Sequence, residues 1–483
     1  MRRQLKRVSA TMFTMFLSLL VSATVIQVMS ADSLNNDSRN HLPVLDSYKV
    51  KRGAILVNGQ PIAQSVPTAD EYSYQRRYTS QMYSAITGFF SLYDGATGIE
   101  SASNDYLTGK NSSQFFEQIN ALFSGNPVTG GSVELTIDPK VQKAAYGALG
   151  GLHGAVVAID PSTGNILAMV STPGFDANQL AVHNSQLSVS NYNKLLGKKG
   201  DPLINKAISG ALYAPGSVFK LLVSAAAIES GQFTPDTKIP NPSRFTLPGT
   251  STQIQNSGEG KCGGGATVSL ANALKLSCNI PFAQVGIKLG QNTIADMAAK
   301  FGFGKSLKIP LVTTPSVYPT NMDDAQTALT AFGQFDVRVT PLQIAMISAT
   351  IANGGIEMQP NLIRQVLSSN LAQLFSSSPQ QMGNPISPAT AEKLKKMMVA
   401  AVESGVSYNG KIPGVSVAGK TGTAQNGGSA PYTLWFTGFA PANKPKVAVA
   451  VVVADGGGMG QSGRGNTLAA PIARKVMEAV LNR

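Results

Sequence analysis

Cysteine, histidine, tryptophan and charged side chains are all scarce in this chain. Of 483 residues only two are Cys, three are His and one is Trp. Two thiols (Cys262 and Cys278) and three histidines remote in sequence (His41, His153, His183) fall short of a zinc site. The cysteine pair fits one disulfide, closing a loop of about 15 residues and contributing roughly 3 kcal/mol in the loop-entropy view, or two structural thiols. No Gly-x-Ser-x-Gly elbow occurs, so His153 or His183 has no nucleophile to serve in a Ser-His-Asp hydrolase. Charged residues make up 13% and apolar ones 43%, which excludes a disordered chain. The net charge of +13 is spread thinly, without a long Lys/Arg run or aromatic interleaving, and this argues against nucleic-acid binding. A membrane surface or an anionic, wall-associated substrate suits that balance better. There is no internal repeat and no extended low-complexity segment.

A long uncharged run rich in Leu, Val, Met and Phe stands at the N-terminus. Val8 to Ala31 gives 24 such residues behind Arg2, Arg3, Lys6 and Arg7, long enough to span a bilayer with the basic cluster on the cytoplasmic side. A signal peptide ending near Ser30-Ala31 is the competing reading, but the run is longer than an ordinary signal core, which favours an uncleaved anchor. Residues 1–31 are therefore expected to form a cytoplasmic tip and a single-pass signal-anchor, with the bulk of the chain on the extracellular face. Asp32 to His41 is polar and linker-like.

Asn58-Gly59 between Ile55-Leu56-Val57 and Pro61-Ile62-Ala63 is a strong hairpin signal. Tyr72, Tyr74, Tyr78 and Tyr83 follow and fit the core of a small α+β region over 32–132. The turn-rich stretch Ser124 to Ser132 marks a boundary. Beyond it, a helix is expected over Pro139–Leu149 and an antiparallel hairpin over Ala155–Ile159 and Ile166–Ser171. Residues 205–355 read as mostly helical. Strands are expected over Val415–Ala424, Thr433–Ala440 and Val447–Asp455, then a closing helix from about Leu468 to Leu481. This order describes one large α+β domain over 133–483.

Three short motifs carry chemistry. In Ala214-Pro215-Gly216-Ser217-Val218-Phe219-Lys220, a turn opens an almost wholly apolar helix in which Lys220 is the only charge. Residues three apart share a helix face, which puts the amine beside the Ser217 hydroxyl. Burial disfavours a charged lysine, and a neutral amine can serve as the base that activates serine. Ser277-Cys278-Asn279 follows a helical stretch over Val268–Leu276 and offers a hydroxyl for proton relay and an amide for recognition. Lys420-Thr421-Gly422-Thr423 lies on a strand where Gly422 allows close approach of a ligand, an extended peptide could add to an edge, Lys420 could attract a carboxylate and the Thr423 N–H could meet an oxyanion.

In that order the three motifs are the signature of penicillin-interacting serine enzymes. The chain resembles the class B penicillin-binding proteins, and among them the actinobacterial penicillin-binding protein A group. Arg52-Gly53-Ala54-Ile55 and Thr97-Gly98-Ile99-Glu100 match the N-terminal region of that family. Leu135-Thr136-Ile137-Asp138, Ala158-Ile159-Asp160-Pro161 and Pro173-Gly174-Phe175-Asp176 match the start of its transpeptidase domain. Trp435-Phe436-Thr437-Gly438-Phe439-Ala440-Pro441 and Ala469-Ala470-Pro471 match its end. The resemblance implies an antiparallel five-stranded sheet flanked by helices, with a mostly helical lobe and an N-terminal pedestal or dimerisation-like domain.

It also implies a D,D-transpeptidase of cell-wall synthesis acting at division. Ser217 would attack a D-Ala–D-Ala bond of a peptidoglycan stem, Lys220 would be the base, and Ser277 with Lys420 nearby would pass the proton to the leaving amine. Asn279 and Thr423 would hold the acyl chain, Thr421 or Thr423 the terminal carboxylate, and Gly422 would let the substrate approach. The amides of Ser217 and Thr423 would form the oxyanion hole. β-Lactams would acylate Ser217, no cofactor or metal is implied, and a separate glycosyltransferase in a cell-wall complex is the implied partner. The departure from the family pattern is Cys278 inside the middle motif, where a bridge to Cys262 would stiffen the Ser277 loop. A β-lactamase is disfavoured because an anchor and a pedestal are unnecessary for that role. A non-catalytic β-lactam sensor or divisome scaffold is the alternative from another class.

Overall fold

The computed structural model describes residues 2–30, 34, 50–114, 118–119, 123–124, 128–258, 260–307 and 309–482. Most of the Asp32–His41 stretch and part of Ser124–Ser132 thus lie outside the described residues. The α-helix Arg2–Thr24 runs on into a wider turn over Val25–Met29, and Arg3–Met29 is long and apolar enough to cross a membrane. Its threonine hydroxyls are satisfied within the helix: Thr11, Thr14 and Thr24 donate to the carbonyls of Arg7, Ala10 and Leu20. No hydroxyl of these three is left to be desolvated unpaired, as a lipid surrounding requires.

The core is a five-stranded antiparallel sheet in the order Ala418–Ala424, Thr433–Ala440, Val447–Val453, Gly154–Ile159, Ile166–Thr172. Both of its faces are covered, which is why its strands are nearly continuously apolar instead of alternating. Val447, Val449, Val451 and Val453 pack with helices Pro139–Leu149 and Ala469–Leu481, whereas Ala448, Ala450 and Val452 face the lobe that contains helix Pro341–Ala352. The hairpin expected at 155–171 and the closing helix are both present. The first C-terminal strand begins at Ala418, not Val415, because Val415 pairs with Ile412 across a turn at Gly414.

The stretch 205–355 departs from the expected helical pattern. Between helices Lys220–Glu229 and Leu270–Lys275 the chain makes two small ribbons, Arg244–Thr246 with Gln253–Gln255 and Lys238–Pro240 with Thr267–Ser269. These strands are three residues long and mostly exposed, so no apolar periodicity announces them.

A second sheet of six strands runs Gln373–Ser376, Ile363–Leu367, Ser132–Leu135, Ile55–Val57, Gln60–Pro67, Tyr74–Tyr78. Asn58 and Gly59 both take positive φ in its hairpin, the geometry that Asn-Gly predicts. Beside it, Glu100 lies wholly buried between two guanidinium groups, with Arg52 Nε and Arg76 Nε each 2.7 Å from its carboxylate. Arg76 also donates to Gly53 O (2.8 Å) and Arg52 to Asn104 Oδ1 (2.8 Å). The two N-terminal sequence signatures thus meet in one buried ion cluster.

Candidate active site

Pro215-Gly216 forms a tight elbow rather than a plain helix start. Gly216 has φ +54 and donates to Gly333 O at 2.9 Å, and a Cβ on Gly333 would sit 2.0 Å from Gly216 O. The elbow continues as a 3-10 turn over Gly216–Phe219, and the α-helix begins only at Lys220. Ser217 is half-buried within the turn, while every residue from Val218 to Ile228 is buried. Trp435 Nε1 donates to Ala214 O (2.9 Å), and a Cβ on Gly422 would meet Pro215 O at 3.0 Å. Glycine at 422 lets the strand close on the elbow without that tight contact.

Ser277 joins helices Leu270–Lys275 and Asn279–Lys300 with a positive φ of 61. Three anchors hold this loop. Cys278 N donates to Ala273 O (2.9 Å), Cys278 is disulfide-bonded to Cys262, and Asn256 Oδ1 accepts from Asn279 N and Ile280 N (2.9 and 3.1 Å).

The two motif lysines converge on that loop. Lys220 Nζ donates to Ser277 O (2.8 Å), Asn279 Oδ1 (2.9 Å) and, at 3.4 Å, Ser277 Oγ. Lys420 Nζ donates to Ser277 Oγ and Thr421 O, both at 2.8 Å. Both side chains are fully buried, and among the described residues no carboxylate pairs with either. Burial, with the Lys420 charge added, holds Lys220 well below an ordinary lysine, and burial brings Lys420 down to about 7.

The Lys220 amine is one turn from Ser217 in sequence, across a 3-10 turn, and its hydrogen bonds run to Ser277 and Asn279. Lys420 is turned by its position on the strand into the helical lobe and is not a solvent-facing lysine. The remaining residues take distinct places. Thr421 is buried, its N–H donating to Ser407 Oγ (3.0 Å) and its hydroxyl 3.2 Å from the same oxygen. Thr423 is half-buried, and its Oγ1 accepts from Gly465 N (3.3 Å). Asn279 is half-buried, its Nδ2 donating to Gln255 O (3.2 Å). The structure therefore gathers the Ser277 loop, Lys220, Asn279 and Lys420 around one point, with the elbow packed against the Gly422–Ala424 strand. Ser407 and Asn256 support this site and were not singled out; neither belongs to a motif, and only the folded chain brings them near.

The geometry agrees with what the chain is similar to. Residues 154–478 match the penicillin binding protein transpeptidase domain, and residues 52–133 match the penicillin binding protein A dimerisation domain. The peptidoglycan D,D-transpeptidase PbpA of Mycolicibacterium smegmatis is 40% identical, over all of this chain and 99% of its own length. A structure of penicillin-binding protein A from Mycobacterium tuberculosis, as a ceftriaxone acyl-enzyme complex, covers 90% of this chain and 100% of its own at 40% identity, with a TM-score of 0.87. The penicillin G acyl-enzyme complex of that protein gives 39% identity over 89% of this chain and all of its own, with a TM-score of 0.85. The chain belongs to the penicillin-binding protein transpeptidase family.

Proposed function

We propose that the protein is a peptidoglycan D,D-transpeptidase that works through an acyl-enzyme on Ser217 and is acylated at the same atom by β-lactams. Ser217 Oγ attacks the carbonyl carbon between two D-alanines, and its proton goes to the neutral Lys220 amine. The Ser277 hydroxyl, held by Lys420, passes a proton to the leaving nitrogen, and the terminal D-Ala departs. An amine of a second stem peptide then attacks the ester, forming the crosslink and freeing Ser217. Asn279 and Thr423 hold the acyl chain, and Thr421 or Thr423 takes the terminal carboxylate. The amides of Ser217 and Thr423 receive the developing oxyanion; losing one such donor costs roughly 10²- to 10³-fold in rate.

One observation carries this reading: two buried lysines, both shifted by burial below an ordinary lysine, meet at Ser277 Oγ. A lysine kept only for structure gains nothing from losing its charge partner, whereas a base or proton relay requires it.

The Arg3–Met29 helix anchors the protein, with Arg2, Arg3, Lys6 and Arg7 in the cytoplasm and the catalytic domain outside. The Cys262–Cys278 bridge suits that oxidising side. Glycan polymerisation falls to a separate glycosyltransferase. Labelling with a fluorescent penicillin tests the assignment: the parent protein takes the label and Ser217→Ala does not. Equal labelling of both overturns it.

A further inference from the structure

The Ala418–Ala424 strand is an edge of the main sheet, and an edge normally offers a row of open main-chain donors. In an antiparallel ladder the N–H and C=O of one residue point the same way. Thr421 N donates to Ser407 Oγ and Thr421 O accepts from Lys420 Nζ, so residue 421 faces the free edge. With a period of two, residues 423 and 425 face it as well.

Residue 425 is also closed. With the Gln334 amide oriented by its partners, its oxygen accepts from Gln425 N (3.1 Å) and its nitrogen donates to Gln425 O (3.2 Å). Thr423 N–H lies between these two closed positions, directly against the elbow: a Cβ on Gly216 would sit 3.0 Å from Thr423 O. Moreover, Gly333, the neighbour of Gln334, accepts the Gly216 amide at 2.9 Å. One dipeptide, Gly333-Gln334, therefore grips the nucleophile elbow with its backbone and the edge strand with its side chain. Ser407 is fixed in turn by donating its N–H to Ala401 O (3.0 Å) and is wholly buried.

We propose that Gln334 and Ser407 are positioning residues that clamp the edge strand on either side of Thr423, leaving its N–H open between two closed positions and fixing its distance from Ser217. The clamps hold the oxyanion site ready before substrate arrives, and they confine an incoming peptide to one ladder position instead of a continuous β-addition. The inference rests on the acyl-transfer reading above.

Its test uses the full-length protein in detergent and benzylpenicillin. Acylation kinetics separate the binding constant from the acylation step for the parent, Gln334→Ala, Ser407→Ala and Ser407→Thr. An oxyanion donor acts in the transition state alone, so both alanine variants should lose about tenfold in the acylation step with binding changed less than about twofold, and Ser407→Thr should recover most of the loss. A loss confined to binding, or alanine variants that acylate at the parental rate, overturns the proposal. Should a variant fail to fold, hydrogen exchange on the parent decides: the Thr421 and Gln425 amides exchange slowly, and Thr423 exchanges fast until acylation protects it. Three amides exchanging alike sink the idea. Failure of the underlying reading is separate, because then the parent itself is not acylated at Ser217.

Discussion

Lys420 Nζ and Ser277 Oγ lie 2.8 Å apart in a space that excludes water from the lysine entirely. The strand that supplies the amine and the loop that supplies the hydroxyl are 143 residues apart in sequence. Burial takes the Lys420 amine to about 7 and holds Lys220 lower than an ordinary lysine, so protonation near neutrality controls the site.

Acylation should therefore depend on pH in one direction. Only an amine without its proton can accept one, and the two lysines are close enough that their protons leave as a coupled pair. The second-order rate of acylation by benzylpenicillin should rise with pH through about 7 and then level. Lys420→Arg keeps the charge at every pH and should cut the rate by roughly 10²-fold. A profile that is flat across neutrality counts against the neutral-amine mechanism.

The same burial predicts a trade between stability and activity. The folded Lys420 amine titrates near 7 and the unfolded one near 10.5, so between these values the unfolded chain binds more protons. Stability should thus increase as pH rises from about 7 toward 10.5, and Lys420 should add no slope below that window. Lys420→Met removes the buried amine, which has no carboxylate partner among the described residues, while keeping much of its volume. Thermal unfolding should show the variant more stable than the parent by about 1–3 kcal/mol at pH 7, with acylation lost. A variant less stable than the parent would mean that the bonds to Ser277 and Thr421 outweigh desolvation.

What could be seen in the sequence was local. The SxxK, SxN and KTG groups, the Asn58-Gly59 hairpin and the paired strands at 155–171 each announce themselves within a few residues. The direction of the Lys220 amine did not, because it depends on a 3-10 turn where a helix start was expected and on a carbonyl 57 residues away. Ser277 has positive φ without a glycine to mark it, and its loop is held by Asn256, which no motif flags. Ser407 and Gln334 are ordinary polar residues until the sheet edge reaches them. The ribbons at 238–269 were missed because exposed three-residue strands bury too little to impose a period.

The bridge between Cys262 and Cys278 closes a sequence separation of 16. Intact mass of the unreduced protein should be two hydrogens below the reduced value. Replacing both cysteines by serine should cost roughly 3 kcal/mol in denaturant unfolding, the loop-closure entropy of a segment this long. Because Cys278 adjoins Ser277 and Asn279, the loss should come with slower acylation. Two free thiols in the native protein would remove both expectations.

Glu100 offers the sharpest test of what holds the N-terminal region together. Burial alone would raise its pKa, but the Arg76 and Arg52 guanidinium groups outweigh that and hold it below the ordinary carboxylate range. Its contribution is therefore complete at neutral pH and is lost only as pH falls through that lowered value. Glu100→Gln leaves a neutral acceptor between two buried cations, and Glu100→Ala leaves them without one. Removing one partner of such a cluster costs about 3–5 kcal/mol, far more than the pair itself contributes against an apolar replacement. Denaturant unfolding should show Glu100→Ala destabilised by that order and Glu100→Gln by somewhat less. A triple replacement of Arg52, Arg76 and Glu100 by apolar residues of similar size should recover most of the loss, because the cost belongs to uncompensated charge. If the triple variant is worse than Glu100→Ala, the guanidinium bonds to Gly53 O and Asn104 Oδ1, rather than charge balance, are what keep this region folded.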